Sequence, residues 1–145
     1  MPRVDFYVLA EHTDEEAERF LCRLCEKIQR LGQRVAILAD AATQERLDTL
    51  LWTFRPESYV PHACVATPDM QPSLPVRLLP GLSGASACEV VVNLLPALPP
   101  CAQDETRIIE LVRGDPVSRK EARQRFQAYR ALGLEPVTTQ IDARF

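Results

Sequence analysis

Four groups of residues in this chain are of types that can do chemistry. The first is Glu11-His12 with Asp14. Two carboxylates flanking an imidazole could trade protons in general acid–base catalysis. The group follows the apolar run Phe6-Tyr7-Val8-Leu9-Ala10, which reads as a buried strand. That places it at the carboxyl end of a strand, where α/β active sites lie. No nucleophile or orienting group stands nearby in sequence, so a polar loop with a helix cap accounts for the same residues.

The second group is Cys22-Arg23-Leu24-Cys25. A redox C-x-x-C belongs at a helix start, where the dipole stabilises a thiolate. This one falls in mid-helix. Zinc would need two further ligands, and no second C-x-x-C or H-x-x-x-H is present. The pair reads as small core residues, and no metal or cofactor is expected.

The third group is cationic. From Asp115 to Arg130, Arg119, Lys120, Arg123, Arg125 and Arg130 outnumber Asp115 and Glu121, inside a chain of net charge -3. At about 100° per residue, Arg119, Arg123, Phe126 and Arg130 share a sector of about 60°, flanked by Ala122 and Tyr129. Guanidinium forks bind carboxylates in bidentate fashion, and a neighbouring ring lines an apolar slot. The stripe suits a short acidic peptide that also carries a hydrophobic group. Arg123 and Arg130 have no acid four residues away to neutralise them, which sets the stripe apart from an ordinary solvated face.

The fourth group is the segment from Leu51 to His62. It holds the chain's only tryptophan, Trp52, with Phe54 and Tyr59 close behind, on a helix end and a proline-punctuated loop. Aromatic side chains on surface loops are typical interface anchors. Closure of the core by Trp52 and Phe54 explains the segment equally well, and both readings stand.

The elements that must position these groups alternate. A strand at Phe6–Ala10 precedes a helix capped by Thr13 or Asp14 and ended by Gly32. A strand at Val35–Ala39 precedes a helix capped by Thr43 and ending near Trp52. Strand, helix, strand, helix is the pattern of a parallel sheet with right-handed crossovers. The middle is loop-rich: nine of the twelve prolines lie between Pro56 and Pro100. Short strands are expected at Val76–Leu79, Glu89–Leu94 and Thr106–Val112. Pro116 opens a last helix that Gly133 closes. Val137–Gln140 reads as an edge strand. The fold class is therefore α/β, a single domain over residues 1–145 with a mostly parallel sheet flanked by helices.

The loop after the first strand contains no glycine, and none of the five glycines forms a phosphate-cradling motif. Glu11 and Asp14 would repel a phosphate. A pI near 5.4 argues against a general nucleic-acid binder. Single-stranded DNA binding by the basic helix alone lacks a stacking platform. The cysteine count is odd, the opening Met1-Pro2-Arg3-Val4-Asp5 does not have the charged-then-apolar pattern expected of a secretory leader, and no apolar run nears the roughly 20 residues that span a bilayer. The expected setting is a reducing cytoplasm with free thiols and no membrane.

Two of these stretches carry a family resemblance. Leu51-Trp52, Arg55-Pro56 and Glu57-Ser58-Tyr59-Val60-Pro61-His62 resemble the chi subunit family of bacterial DNA polymerase III. So does Arg123-Gln124-Arg125-Phe126-Gln127-Ala128-Tyr129-Arg130. Phe6-Tyr7-Val8-Leu9, Gly32-Gln33-Arg34-Val35 and Arg46-Leu47-Asp48 extend the similarity over nearly the whole chain. It is loosest from Ala63 to Gln103. The resemblance implies a Rossmann-like fold without nucleotide binding, and a non-catalytic accessory role in DNA replication. It implies pairing with a psi subunit that tethers the chain to the clamp-loader complex. It also implies binding of the acidic C-terminal tail of single-stranded DNA-binding protein. In some members a helicase-type repair protein uses the psi-facing surface.

By position, Arg119, Arg123 and Phe126 match the family's tail pocket, and Arg130 continues the line. Trp52, Tyr59, Pro61 and His62 match the psi-facing segment, with Phe54 inside it. The family often has lysine at Arg119 and tyrosine at Phe126, a lysine at Gln127, and phenylalanine at Tyr59. The rival reading is a small nucleotide- or phosphoester-processing enzyme built on Glu11, His12 and Asp14.

Overall fold

The computed structural model describes residues 3–9, 13–68, 70–81, 88–99 and 106–141. Seven strands and three helices follow one another as β1 (Arg3–Val8), α1 (Asp14–Arg30), β2 (Val35–Leu38), α2 (Ala41–Thr53), β3 (His62–Cys64), β4 (Val76–Leu79), β5 (Val90–Asn93), β6 (Arg107–Val112), α3 (Pro116–Ala131) and β7 (Val137–Gln140). The strands form one sheet in the order β3-β4-β2-β5-β6-β1-β7, and every pairing is parallel. This is the α/β architecture expected from the alternating elements.

Each helix boundary has a local cause. Thr13 caps α1: its Oγ1 accepts from the Glu16 N–H at 3.1 Å, and the Glu16 carboxylate accepts from the Thr13 N–H at 3.0 Å. α2 starts two residues before Thr43, because Asp40 is the cap and accepts from the Thr43 N–H at 2.8 Å. That hydrogen bond holds the Asp40 carboxyl below its ordinary range. Asp115 caps α3 through the Ser118 N–H at 3.0 Å, and Pro116 occupies the first turn, where no N–H is needed. Gly32 and Gly133 follow the C-caps at φ 77° and 86°, left-handed values that any Cβ would strain.

Two strands depart from the sequence reading. β1 covers Arg3–Val8 and begins three residues before the expected Phe6, because β6 pairs it from Arg3↔Arg107 onward; Ala10, the expected end, lies outside the described residues. Its polar start is buried in partnership: Asp5 is 2% exposed and accepts from Arg107 Nε at 3.0 Å. β3 was not anticipated at all. It is three residues long and exists through its pairing with β4, for which local sequence carries no signal.

Side chains alternate across the sheet and build two cores. Val35, Ile37, Val76, Leu78, Val90, Val92 and Ile109 meet α1 and α2 on one face. Val4, Phe6, Ala36, Leu38, Leu79, Val91 and Ile108 meet α3 on the other. The crossovers through α1 and α2 run one way along the strand order and that through α3 runs the other way. Connections of a single hand put them on opposite faces for that reason.

Cys22 and Cys25 lie in the α1 core and are free thiols. Burial raises the Cys22 pKa to about 12 and pushes Cys25 up as well. Both therefore stay protonated and inert near neutral pH. In the folded protein at about pH 8, a thiol reagent is expected to label exposed Cys64 and to spare Cys22 and Cys25 until denaturant is added. Labelling of Cys22 or Cys25 before unfolding would contradict their inertness.

Two candidate binding surfaces

The first surface is on α3. Ala122, Arg125 and Tyr129 turn inward, while Arg119, Arg123 and Arg130 are exposed and Phe126 lies on the boundary. Phe126 rests on Phe6 with ring centroids 5.3 Å apart. A pocket of about 180 Å³ opens here between helix and sheet. Its floor is Phe6, Val8 and Val112, its helix wall is Arg119, Arg123 and Phe126, and Thr138 of β7 closes the far side. Arg130 sits a turn further along α3 and does not line it.

The charges around this pocket are available. Among the described residues, Arg119 and Arg123 form no ion pair, whereas Arg107, Arg113 and Arg125 are paired with Asp5, Asp14 and Glu110. Two guanidinium groups beside a ring and an apolar floor can hold a carboxylate and an apolar side chain together.

What fixes α3 in place is a buried polar cluster that the sequence reading passed over. Glu110 of β6 accepts from Arg125 Nε at 3.0 Å, from Tyr129 Oη at 2.6 Å and from Asn93 Nδ2 at 2.9 Å. Glu110 and Tyr129 are fully buried and Arg125 nearly so. Tyr129, expected beside the cationic stripe, is thus a core residue. Burial lifts the Glu110 carboxyl above its ordinary value of 4.5, and Arg125, Asn93 and Tyr129 pull against that shift. One signal for the cluster was legible: an acid at 110 on the apolar face shared by Ile108 and Val112 demands a buried partner.

The second surface is at the opposite edge. Trp52 at the end of α2 is 47% exposed, and Tyr59 is 67% exposed. Their ring centroids are 5.5 Å apart, and Trp52 also lies 4.3 Å from the His62 ring. His62 is buried, with Nδ1 2.7 Å from the Val60 carbonyl oxygen and Nε2 3.0 Å from that of Asp48. Phe54 does something different: it is 7% exposed and belongs to the α1/α2 core. The two readings of this segment therefore divide, with Phe54 closing the core and Trp52 and Tyr59 facing solvent. Pro61 is partly buried before β3.

Glu26, on the buried face of α1, organises the intervening turn. It accepts from Ser58 Oγ and from Arg55 Nη2, the latter at 3.2 Å, and Arg30 lies 3.6 Å away. Arg19 Nη1 donates to the Phe54 carbonyl at 3.1 Å. An acid within the apolar stripe of α1 was the available hint of this anchor.

Of the acid–base group, Glu11 and His12 lie outside the described residues. Asp14 opens α1 and is 3.7 Å from Arg113 Nη1. It borders a broad groove of about 970 Å³ between α1 and α2, which is also lined by Glu15, Glu18 and Glu45 against Arg46 and Arg113. More carboxylates than guanidinium groups make this groove a poor host for phosphate. No group of three or more metal-ligating side chains occurs among the described residues, and no described helix is long and apolar enough to cross a membrane.

A parallel α/β sheet with a cationic, aromatic pocket at one edge and an exposed aromatic patch at the other defines a Rossmann-like α/β domain. Comparison with known proteins makes the class specific. The family described as DNA polymerase III chi subunit, HolC, matches residues 1–137. The chain is 36% identical over 134 residues to DNA polymerase III subunit chi of Pseudomonas aeruginosa, covering 92% of each chain. It is 28% identical to the chi subunit of Haemophilus influenzae, over 94% of this chain and 95% of that one. It is also 28% identical to that of Escherichia coli, over 92% and 95%. The chain belongs to the DNA polymerase III chi subunit family, an accessory family of DNA replication.

Proposed function

We propose that this chain is a non-catalytic adaptor of the replicase, joining the clamp-loader complex to coated single-stranded template. One partner is the psi subunit, held on the Trp52, Tyr59, Pro61 and His62 surface with Phe54 as its buried support. The other is the acidic C-terminal tail of single-stranded DNA-binding protein, held by Arg119, Arg123 and Phe126, with Arg130 attracting the acidic residues upstream. A helicase-type repair protein could compete for the psi surface.

The observation that carries the reading is the pocket itself. Two guanidinium groups with no ion-pair partner among the described residues flank a ring over an apolar floor, which matches a tail ending in a hydrophobic residue and a carboxylate. A second support is placement. The two surfaces adjoin β7 and β3, the end strands of a seven-stranded sheet. At about 4.8 Å per strand the edges are about 29 Å apart. Both partners can therefore be bound at once.

Calorimetry with an acidic peptide ending in Phe tests the reading. Binding in the micromolar range at low salt is expected, because the pocket is small and partly screened. Arg123→Ala should weaken it about tenfold or more, the loss of a charge-assisted bidentate contact. Undetectable binding, or an affinity unchanged in Arg123→Ala, would refute the pocket assignment.

A further inference from the structure

β7 is the outer strand on the pocket side of the sheet, and among the described residues it pairs with β1 alone. The Ile141 N–H donates to the Val8 carbonyl at 3.1 Å. In a parallel ladder the residues bonded to a given neighbour alternate along the strand. Val137, Thr139 and Ile141 therefore serve the β1 ladder, and Thr138 and Gln140 direct their N–H and C=O groups outward. All four residues of β7 are exposed. The strand, Val-Thr-Thr-Gln, contains no lysine, no proline and no other charge, the devices that commonly block an open edge. Thr138 also forms one wall of the α3 pocket. An apolar, cation-rimmed pocket and an unblocked backbone edge thus share a residue.

We propose that the acidic peptide whose end fills the α3 pocket continues along β7 as an eighth strand, pairing with the outward N–H and C=O groups of Thr138 and Gln140. The inference rests on the pocket reading above. A pocket of about 180 Å³ accommodates one large side chain and a carboxylate, so the rest of the peptide must leave over a rim. The helix rim is crowded by the side chains of Arg119, Arg123 and Phe126, whereas the β7 rim offers main-chain hydrogen bonds. Strand addition takes its affinity from the main chain and tolerates varied side chains, which suits a low-complexity acidic segment. Arg119 and Arg123 supply the selection for negative charge.

Two peptides separate the elements of this proposal, both acidic and ending in Phe: a short one that only fills the pocket, and one extended upstream. The longer is expected to bind about five- to tenfold more tightly, the worth of one or two net main-chain hydrogen bonds. Gln140→Pro removes one outward N–H while sparing the β1 ladder and the pocket, a position where an edge strand accepts proline. It should lower the longer peptide to the affinity of the short one and leave the short one unchanged. Methylating successive backbone amides of the extension should weaken binding at every second residue. Equal affinities for the two peptides, or a methylation series without that period, would overturn strand addition while leaving the pocket intact. Failure of the short peptide to bind would instead overturn the pocket reading beneath it. If Gln140→Pro also weakened the short peptide, the methylation series on the wild-type chain would decide.

Discussion

Arg125→Ala is expected to lose about 3–5 kcal/mol of folding stability in urea denaturation near neutral pH, the usual cost of stripping a buried charge of its partner. The loss comes from Glu110, which is fully buried and would keep only the hydrogen bonds from Asn93 and Tyr129. The pH dependence distinguishes this mechanism from simple loss of packing. Burial already raises the Glu110 pKa above 4.5, so the folded protein retains a proton that the unfolded chain releases. A raised folded pKa contributes stability that is complete below about 4.5 and lost as pH climbs through the folded value. Removing Arg125 raises that value further. The deficit of Arg125→Ala relative to wild type should therefore be smallest near pH 4.5 and grow towards neutrality. A deficit independent of pH, or below about 1 kcal/mol, would show that the pair does not act as a coupled buried charge.

Trp52→Ala is expected to weaken binding of the psi subunit by about 30-fold or more, which is about 2 kcal/mol and typical of a central aromatic anchor. The same variant should bind the acidic tail peptide as wild type does, because the pocket lies at the far edge and on the other face of the sheet. Its folding stability should change by less than about 1 kcal/mol, since Trp52 is half exposed and the core beneath is closed by Phe54. Surface plasmon resonance with both ligands on wild type, Trp52→Ala and Arg123→Ala reads all of this. Retention of psi by Trp52→Ala would remove the aromatic patch from the function. Loss of both ligands in either variant would mean that the surfaces are not independent.

The proposed adaptor role requires this independence, and the fold supplies a physical basis for it. Phe126 and Phe6 pack into the α3 core, while Trp52 and His62 stand over the α2 end. A stiff, fully parallel sheet separates the two. Each surface has its own buried acid as an anchor: Glu110 holds α3 by Arg125 and Tyr129, and Glu26 holds the Arg55–Ser58 turn. Both acids sit in otherwise apolar stripes, where an unpaired carboxylate would be costly. The need for a partner converts each into a clamp.

The amino-acid sequence by itself determined the elements, because their causes are local. Apolar runs marked the central strands, Pro116 and Gly133 bounded α3, and a period of 3.6 residues put Arg119, Arg123 and Phe126 on one line. Those three residues do meet around one pocket. Only the tertiary structure decided which arginines face outward. Arg125 is one of five cations on the same helix, and its burial is made possible by Glu110, on a different element, which waits beneath it. The same holds for Tyr129, for the division of labour between Phe54 and Trp52, and for β3, which has no identity until β4 pairs with it. Helical phase is a property of adjacent residues. Burial and partnership depend on residues far along the chain, so a local pattern can signal that a buried acid needs a partner but cannot name it.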